Sequence, residues 1–264
     1  MSSAFTLGTW NILATAYIRR DYYPNTPPEV LDPRQRVPAL LTRAGEMQLD
    51  LLCLQEVETD TFAALEDHLS AHGYSGRLAM KAGGKPDGCA VFFRSDRCRL
   101  LSEQRLAYSD GAGNPNSGHI AQILAFALLE VRLDLVNTHL KWDAPGAPRD
   151  HGWGYRQALQ ALSALPAPAD KTIQIVCGDF NVTEDSPVIE LLTAAGFDHT
   201  HHAAPGVYTC NSSSQPKLID YIFFRGPVRV RPVALPPLDA ATPLPSLDQP
   251  SDHLPLIAHF TLPL

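Results

Sequence analysis

Runs of strand length that are almost wholly apolar are what most limit the folds open to this chain. Residues 49–54 and 173–178 are the clearest. A strand exposed on one face alternates apolar and polar residues, whereas a nearly continuous apolar run requires cover on both faces. Further strands are expected at 5–13, 88–94, 99–108, 120–128, 131–139, 218–225 and 256–262. Between them lie helical patterns. Residues 34–48 place Val37, Leu40, Leu41, Ala44 and Met47 on one face. Residues 61–72 end at Gly73, residues 155–165 run into a Pro/Ala-rich exit, and 187–195 lie between Pro187 and Gly196. Buried strands interspersed with helices predict an α/β sandwich of four layers, with two mixed sheets face to face and helices outside.

The 264 residues suit one domain spanning 1–264. No apolar run is long enough to cross a bilayer, so no membrane insertion is expected. The opening residues carry no basic-then-apolar leader, and the expected location is cytoplasmic. Cys53, Cys89, Cys98, Cys177 and Cys210 are odd in number and form no CxxC pair, which predicts reduced, buried thiols. The net charge of −7 argues against a broad duplex-DNA surface but leaves room for a short single strand or a nucleotide in a locally positive pocket.

Five segments share a design, in which an apolar strand ends in residues able to hold metal or phosphate. They are Thr9-Trp10-Asn11, Cys53-Leu54-Gln55-Glu56, Asn137-Thr138-His139-Leu140, Cys177-Gly178-Asp179-Phe180-Asn181 and Ser251-Asp252-His253. Asp and Asn are ordinary turn residues and a lone His is usually structural, so no single segment decides anything. All five in this order are specific. Phosphodiesters repel nucleophiles, and a hard divalent cation held by oxygen ligands relieves that repulsion. Glu56 is the natural anchoring ligand. Asp179 is a carboxylate able to orient or deprotonate a water, with Asn181 placed to hold that water or a phosphate oxygen.

The order WN, LQE, NTHL, GDFN, SDH resembles the endonuclease/exonuclease/phosphatase (DNase I-like) superfamily over residues 6–260. Asn11-Ile12-Leu13-Ala14 with Tyr17, residues 51–57, 87–93 and 218–224 look closest to its CCR4/nocturnin/Angel deadenylase-like group. The resemblance implies the DNase I-like fold and a Mg²⁺-dependent phosphoesterase, with Mn²⁺ as a possible substitute. It implies Asn11 and Glu56 as metal ligands, and Asp252 and Asp179 are carboxylates able to complete a second metal position or shape the first. It sets His253 against the scissile phosphate, oriented by Asp220, and makes His139 a donor to a phosphate oxygen.

The chain also departs from the group. His119-Ile120-Ala121 stands where an Asn-x-Ala is usual, which leaves His119 as a substrate-binding candidate. Lys141-Trp142-Asp143 replaces an aromatic pair and a His-Pro, and makes Trp142 a candidate stacking platform. Arg156 resembles a family arginine at the start of the next helix, and His151 and Trp153 are expected near the pocket.

The expected substrate is single-stranded RNA or a nucleotide, cut near a 3′ end or relieved of an end phosphate. A phosphatase of a small phosphorylated metabolite is the alternative. No obligate protein partner is evident. A non-catalytic module would lack a ligand, and none is missing. His199, His201 and His202 are expected in a solvated loop, His68 and His72 on the surface, Gly83-Gly84-Lys85 in a hairpin turn, and residues 232–250 in a surface loop.

Overall fold

A computed structural model describes residues 4–110, 116–144, 152–202 and 206–263. Its strands are β1 (Ala4–Asn11), β2 (Leu51–Glu58), β3 (Tyr74–Met80), β4 (Asp87–Arg94), β5 (Cys98–Ala107), β6 (Ile120–Leu128), β7 (Val131–His139), β8 (Thr172–Asp179), β9 (Asp198–His199), β10 (Cys210–Ser212), β11 (Gln215–Lys217), β12 (Asp220–Arg225), β13 (Arg229–Pro232) and β14 (Leu256–Thr261). The α-helices are α1 (Pro33–Glu46), α2 (Thr59–Ser70), α3 (Trp153–Ala164) and α4 (Pro187–Ala194). No helix among the described residues is long and apolar enough to cross a membrane.

One six-stranded sheet has the order β13-β14-β1-β2-β4-β3, and the other β5-β6-β7-β8-β12-β9. Each is mixed, because β1–β2 and β7–β8 run parallel while their other pairs are antiparallel. The central core lies between them, where Leu7, Leu51, Val91 and Phe93 meet Leu124, Phe126, Leu135, Ile175 and Ile222. The opposite faces of the same strands are covered by helices. Leu40, Ala44, Leu65 and Leu69 of α1 and α2 cover Leu52, Leu54 and Phe92, while Ala158, Ala161, Val188 and Leu192 of α3 and α4 cover Val136, Val176 and Phe223. Cover on both faces is what the unbroken apolar runs require, and the result is the expected four-layer α/β sandwich.

Local signals start the helices. The Asp32 side chain accepts the Arg34 N–H at 2.9 Å ahead of Pro33 in α1, and Ser186 does the same for Val188 at 3.2 Å ahead of Pro187 in α4. Helices α2 and α3 begin two residues earlier than the apolar pattern alone predicts. Strands β3, β9, β10, β11 and β13 escaped the sequence reading. Most are two to four residues long, and β3, β9 and β13 are edge strands whose exposed faces break the apolar signal. The 232–250 segment is less superficial than expected, since Leu238 and Leu244 pack with Leu254 in a cluster of their own. The five cysteines are free and buried, as expected. Gly83 and Gly84, with φ of 71° and 73°, turn the chain between β3 and β4.

A polar clasp crosses the apolar core between the sheets. Gln55 Nε2 of one sheet donates to Asn137 Oδ1 of the other at 2.7 Å and to Thr9 Oγ1 at 2.9 Å. Asn137 Nδ2 donates in return to the Leu54 and Ala90 carbonyls at 3.1 and 3.0 Å. All these side chains are buried, so losing one partner leaves polar groups unpaired where water does not reach. Asn137→Ala is expected to lower stability by about 2 kcal/mol or more. Urea denaturation should show the midpoint falling with an unchanged slope.

Candidate active site

The strand ends converge at one edge of the sandwich. In one sheet His139 closes β7 as the register partner of Asp179 at the end of β8, and Asp179 is in turn opposite Asp220 at the start of β12. In the other sheet Asn11 ends β1 opposite Gln55 of β2. The β2–β4 register slips between Gln55 and Val57, which leaves Glu56 as an unpaired bulge residue with φ of 58°. The bulge turns the Glu56 carboxylate out of the ladder and towards the other sheet, a common use of bulges beside reaction centres. Gly178 is needed for the approach of β8 to β7, because a Cβ there would lie 1.8 Å from the Thr138 carbonyl oxygen, at φ of 140°.

Asn11 holds the carboxylates together. Its Nδ2 donates to Asp179 Oδ2 at 2.9 Å and Glu56 Oε1 at 3.1 Å, and its Oδ1 accepts the Leu13 N–H at 3.0 Å. Asn11 therefore reaches the expected corner, yet in this arrangement its amide orders the acidic side chains. Glu56 Oε2 accepts the Ala14 N–H at 2.9 Å. Asp252 takes the Tyr23 hydroxyl at 3.1 Å on Oδ2. Burial pushes the Glu56 carboxyl above its ordinary value, with Lys81 opposing and Asp252 adding to the rise. Burial likewise pushes Asp179 up to about 7, with the His253 charge opposing and Asp220 adding. Crowded, buried oxygen donors that resist ionisation together are the donor set a hard divalent cation satisfies. Asp179, Asp220 and His253 also lie close enough to share a metal ion.

The two histidines are held in opposite states. His253 Nδ1 donates to Asp220 Oδ2 at 2.8 Å, leaving Nε2 3.8 Å from Asp179 Oδ2. Burial opposes a charge on this ring, but Asp220, Cys210 and Asp252 outweigh it and hold its pKa well above the ordinary value. For His139, burial and then Lys81, His119 and His253 push the pKa well below it. Its nitrogens face two donors, the Lys81 ammonium at 3.3 Å and the Asn181 amide at 3.0 Å. A protonated ring accepts from neither, whereas a neutral imidazole accepts from one of them and keeps an N–H on its other nitrogen.

Glu56, His139, Asp179, Asn181, Asp252 and His253 line a cleft of about 880 Å³ that also includes Tyr17, Tyr22, Tyr23, Trp142, Asp143 and Lys217. Trp142 is 56% exposed on its wall.

The Endonuclease/Exonuclease/phosphatase family profile matches residues 8–253. The chain belongs to this family. It is 30% identical to nocturnin of Xenopus laevis over 97% of this chain and 72% of that protein. It is 26% identical to the CCR4-Not complex 3′-5′-exoribonuclease subunit Ccr4 of Debaryomyces hansenii over 99% of this chain, but spans only 39% of that protein's length. The fold matches that of ANGEL2, a 2′,3′-cyclic phosphatase solved with adenosine-2′,3′-vanadate, with a TM-score of 0.85 and 21% identity, covering 99% of this chain and 96% of that one. The chain thus falls in the CCR4/nocturnin/Angel group and is a hydrolase of phosphate esters.

The structure brings Asn11, Glu56, His139, Asp179, Asn181, Asp220, Asp252 and His253 together at one edge of the sandwich. Two expectations for substrate contact, His119 and Arg156, are corrected. His119 is buried behind His139, ring to ring at 5.6 Å, and does not line the cleft. Burial and nearby lysines push its pKa down to about 3. Arg156 donates to the Asp110 carbonyl at 3.1 Å, because its helix turns it towards that loop. Trp153 lies under the Lys141 ammonium, 3.4 Å from its ring centre, while Asp143 accepts the Trp153 and Gly154 N–H groups. His151 falls outside the described residues.

Sequence reasoning missed a buried support. Lys81 pairs with Asp87 at 2.7 Å, and Asp87 accepts the Tyr17 hydroxyl at 2.6 Å. Arg36, also buried, donates to the Ile12 and Pro250 carbonyls and to Thr15, which ties the β1 exit to the Ser251–His253 turn. No spacing rule links these residues, and only the assembled fold brings them together. Gly178→Ala should destabilise the protein by more than about 2 kcal/mol, through both the positive φ and the Thr138 clash. Thermal unfolding checks this, and a wild-type midpoint would refute the account of the β7–β8 approach.

Proposed function

We propose that residues 1–264 form one catalytic domain that hydrolyses phosphate esters at the 3′ end of single-stranded RNA or short oligonucleotides. The observation that carries the reading is the cleft itself, where the Glu56, Asp179, His139 and His253 side chains lie together with the exposed rings of Tyr22 and Trp142. Its volume suits a nucleotide, and flat aromatic surfaces stack on bases without regard to sequence. The related ANGEL2 acts on a 2′,3′-cyclic phosphate and the related Ccr4 is a 3′-5′-exoribonuclease, which supports an RNA end as substrate.

In this reading Glu56, Asp252 and Asn11 would hold Mg²⁺, with Mn²⁺ as substitute, which when bound would supply charge neutralisation at the phosphate and the leaving oxygen. Asp179 takes a proton from the attacking water, for which its raised pKa suits it. Asn181, fixed by donating to the Leu140 carbonyl at 2.9 Å, positions that water or a phosphate oxygen. His253 presents Nε2–H to the phosphate, with Asp220 holding the ring. His139, as a neutral ring, donates one N–H to a phosphate oxygen as charge builds there. Hydrolysis of a small phosphorylated metabolite is the second reading. It is favoured by Asp143 and Asp185 on the cleft wall, where Lys217 is the sole Lys or Arg among the described lining residues.

The test uses 5′-labelled, adenine-tailed RNA ending in a 3′-hydroxyl or a 2′,3′-cyclic phosphate, with Mg²⁺, Mn²⁺ or EDTA. Wild type should shorten the RNA from its 3′ end or open the cyclic phosphate, and EDTA should stop it. His253→Ala and Asp179→Ala should lose activity by a factor on the order of 100 or more while remaining folded. Trp142→Ala should raise the KM for RNA about tenfold, the loss of one stacked base. RNA left untouched by folded wild type would move the assignment to the small metabolite.

A further inference from the structure

Outside the cleft, one side-chain cluster among the described residues has the chemistry of a metal site. His199 lies on β9, paired with Phe223 of β12, and is buried against the Tyr221 and Phe223 rings. Its Nδ1 lies 3.0 Å from the His201 carbonyl, which only accepts, so Nδ1 carries the proton. In the neutral ring Nε2 is then a bare lone pair, and it points at Glu184 Oε1 from 3.2 Å. His202 Nδ1 approaches the same carboxylate oxygen at 3.3 Å, with the two rings 4.1 Å apart.

A cation between the three atoms resolves the juxtaposition. Tetrahedral Zn²⁺ with bonds of about 2.0–2.1 Å spaces its ligand atoms about 3.3 Å apart. The Glu184–His199 and Glu184–His202 separations have that spacing, and all three atoms lie within 4.8 Å of one another. An outer contact also fits. The second nitrogen of His199 is held by a carbonyl, as the orienting partners of ligating imidazoles hold them, while that of His202 faces Asp198 Oδ1 from 3.8 Å without a hydrogen bond. His201 takes no part, since its nitrogens engage Thr200 Oγ1 and the Val233 carbonyl. The His202 side chain is 64% exposed, so water reaches the fourth position.

We propose that Glu184, His199 and His202 bind a transition-metal ion of the Zn²⁺ class, separate from the catalytic cleft. Two imidazoles and one carboxylate select such an ion over Mg²⁺. The ion would tie the segment after Asn181, whose neighbours Thr183 and Asp185 line the cleft, to the edge strand β9.

The test is a Co²⁺ titration of chelator-stripped full-length protein in excess Mg²⁺, followed by the visible tetrahedral band and by Zn²⁺ competition. Wild type should bind one Co²⁺ with that band and release it to Zn²⁺. His202→Ala and Glu184→Gln should weaken binding about tenfold or more, and Glu56→Gln should leave it unchanged. Zn²⁺ should also raise the thermal midpoint of wild type and not of His202→Ala. Absence of the band, equal binding by His202→Ala, or a thiolate charge-transfer band pointing to Cys210 would each overturn the proposal.

Discussion

The two sheets meet through apolar side chains, which attract without specifying direction, so something else must set their register. The amides of Gln55 and Asn137, with the Thr9 hydroxyl, do so. Buried hydrogen bonds allow one arrangement, because a slip would strand polar groups in the core. The clasp lies directly behind the site. One residue beyond Gln55 is Glu56, and two beyond Thr9 and Asn137 are Asn11 and His139. The alignment that satisfies the clasp therefore also brings the donors of both sheets to the same edge.

Electrostatics then divides the labour. Glu56 and Asp179 crowd in a space that burial makes unfavourable to charge, and Asn11 donates to both. The two cleft histidines sit among different neighbours. Asp220 and Asp252 favour charge on His253, whereas Lys81, which is fixed by Asp87, disfavours it on His139. One fold thus holds two imidazoles in opposite electrostatic settings, with His139 Nε2 at 3.7 Å and His253 Nε2 at 3.8 Å from Asp179 Oδ2.

Much of this is legible in the chain. The apolar runs that need two covered faces imply the four layers, and the polar ends of those runs mark the site. The short strands β9, β10, β11 and β13 were not legible, because two to four residues carry little periodicity, and β3 escaped because its edge position leaves an exposed face that breaks the apolar signal. Which side chains reach the cleft was legible only in part. Trp142 reaches the cleft, but His119 and Arg156 do not, because strand and helix direction decide which way a side chain points. The His199 cluster was misread as solvated because burial by β12 is a long-range contact.

By itself, then, the sequence determined the layered α/β architecture, the family and the eight residues that meet at the strand ends, since these depend on local pattern and motif order. Only the tertiary structure decided the Glu56 bulge, the Lys81–Asp87–Tyr17 support and the Arg36 tie. It also decided the states of the two histidines. Each depends on groups far apart in sequence, and burial, charge proximity and hydrogen bonding act through space once the sheets have closed.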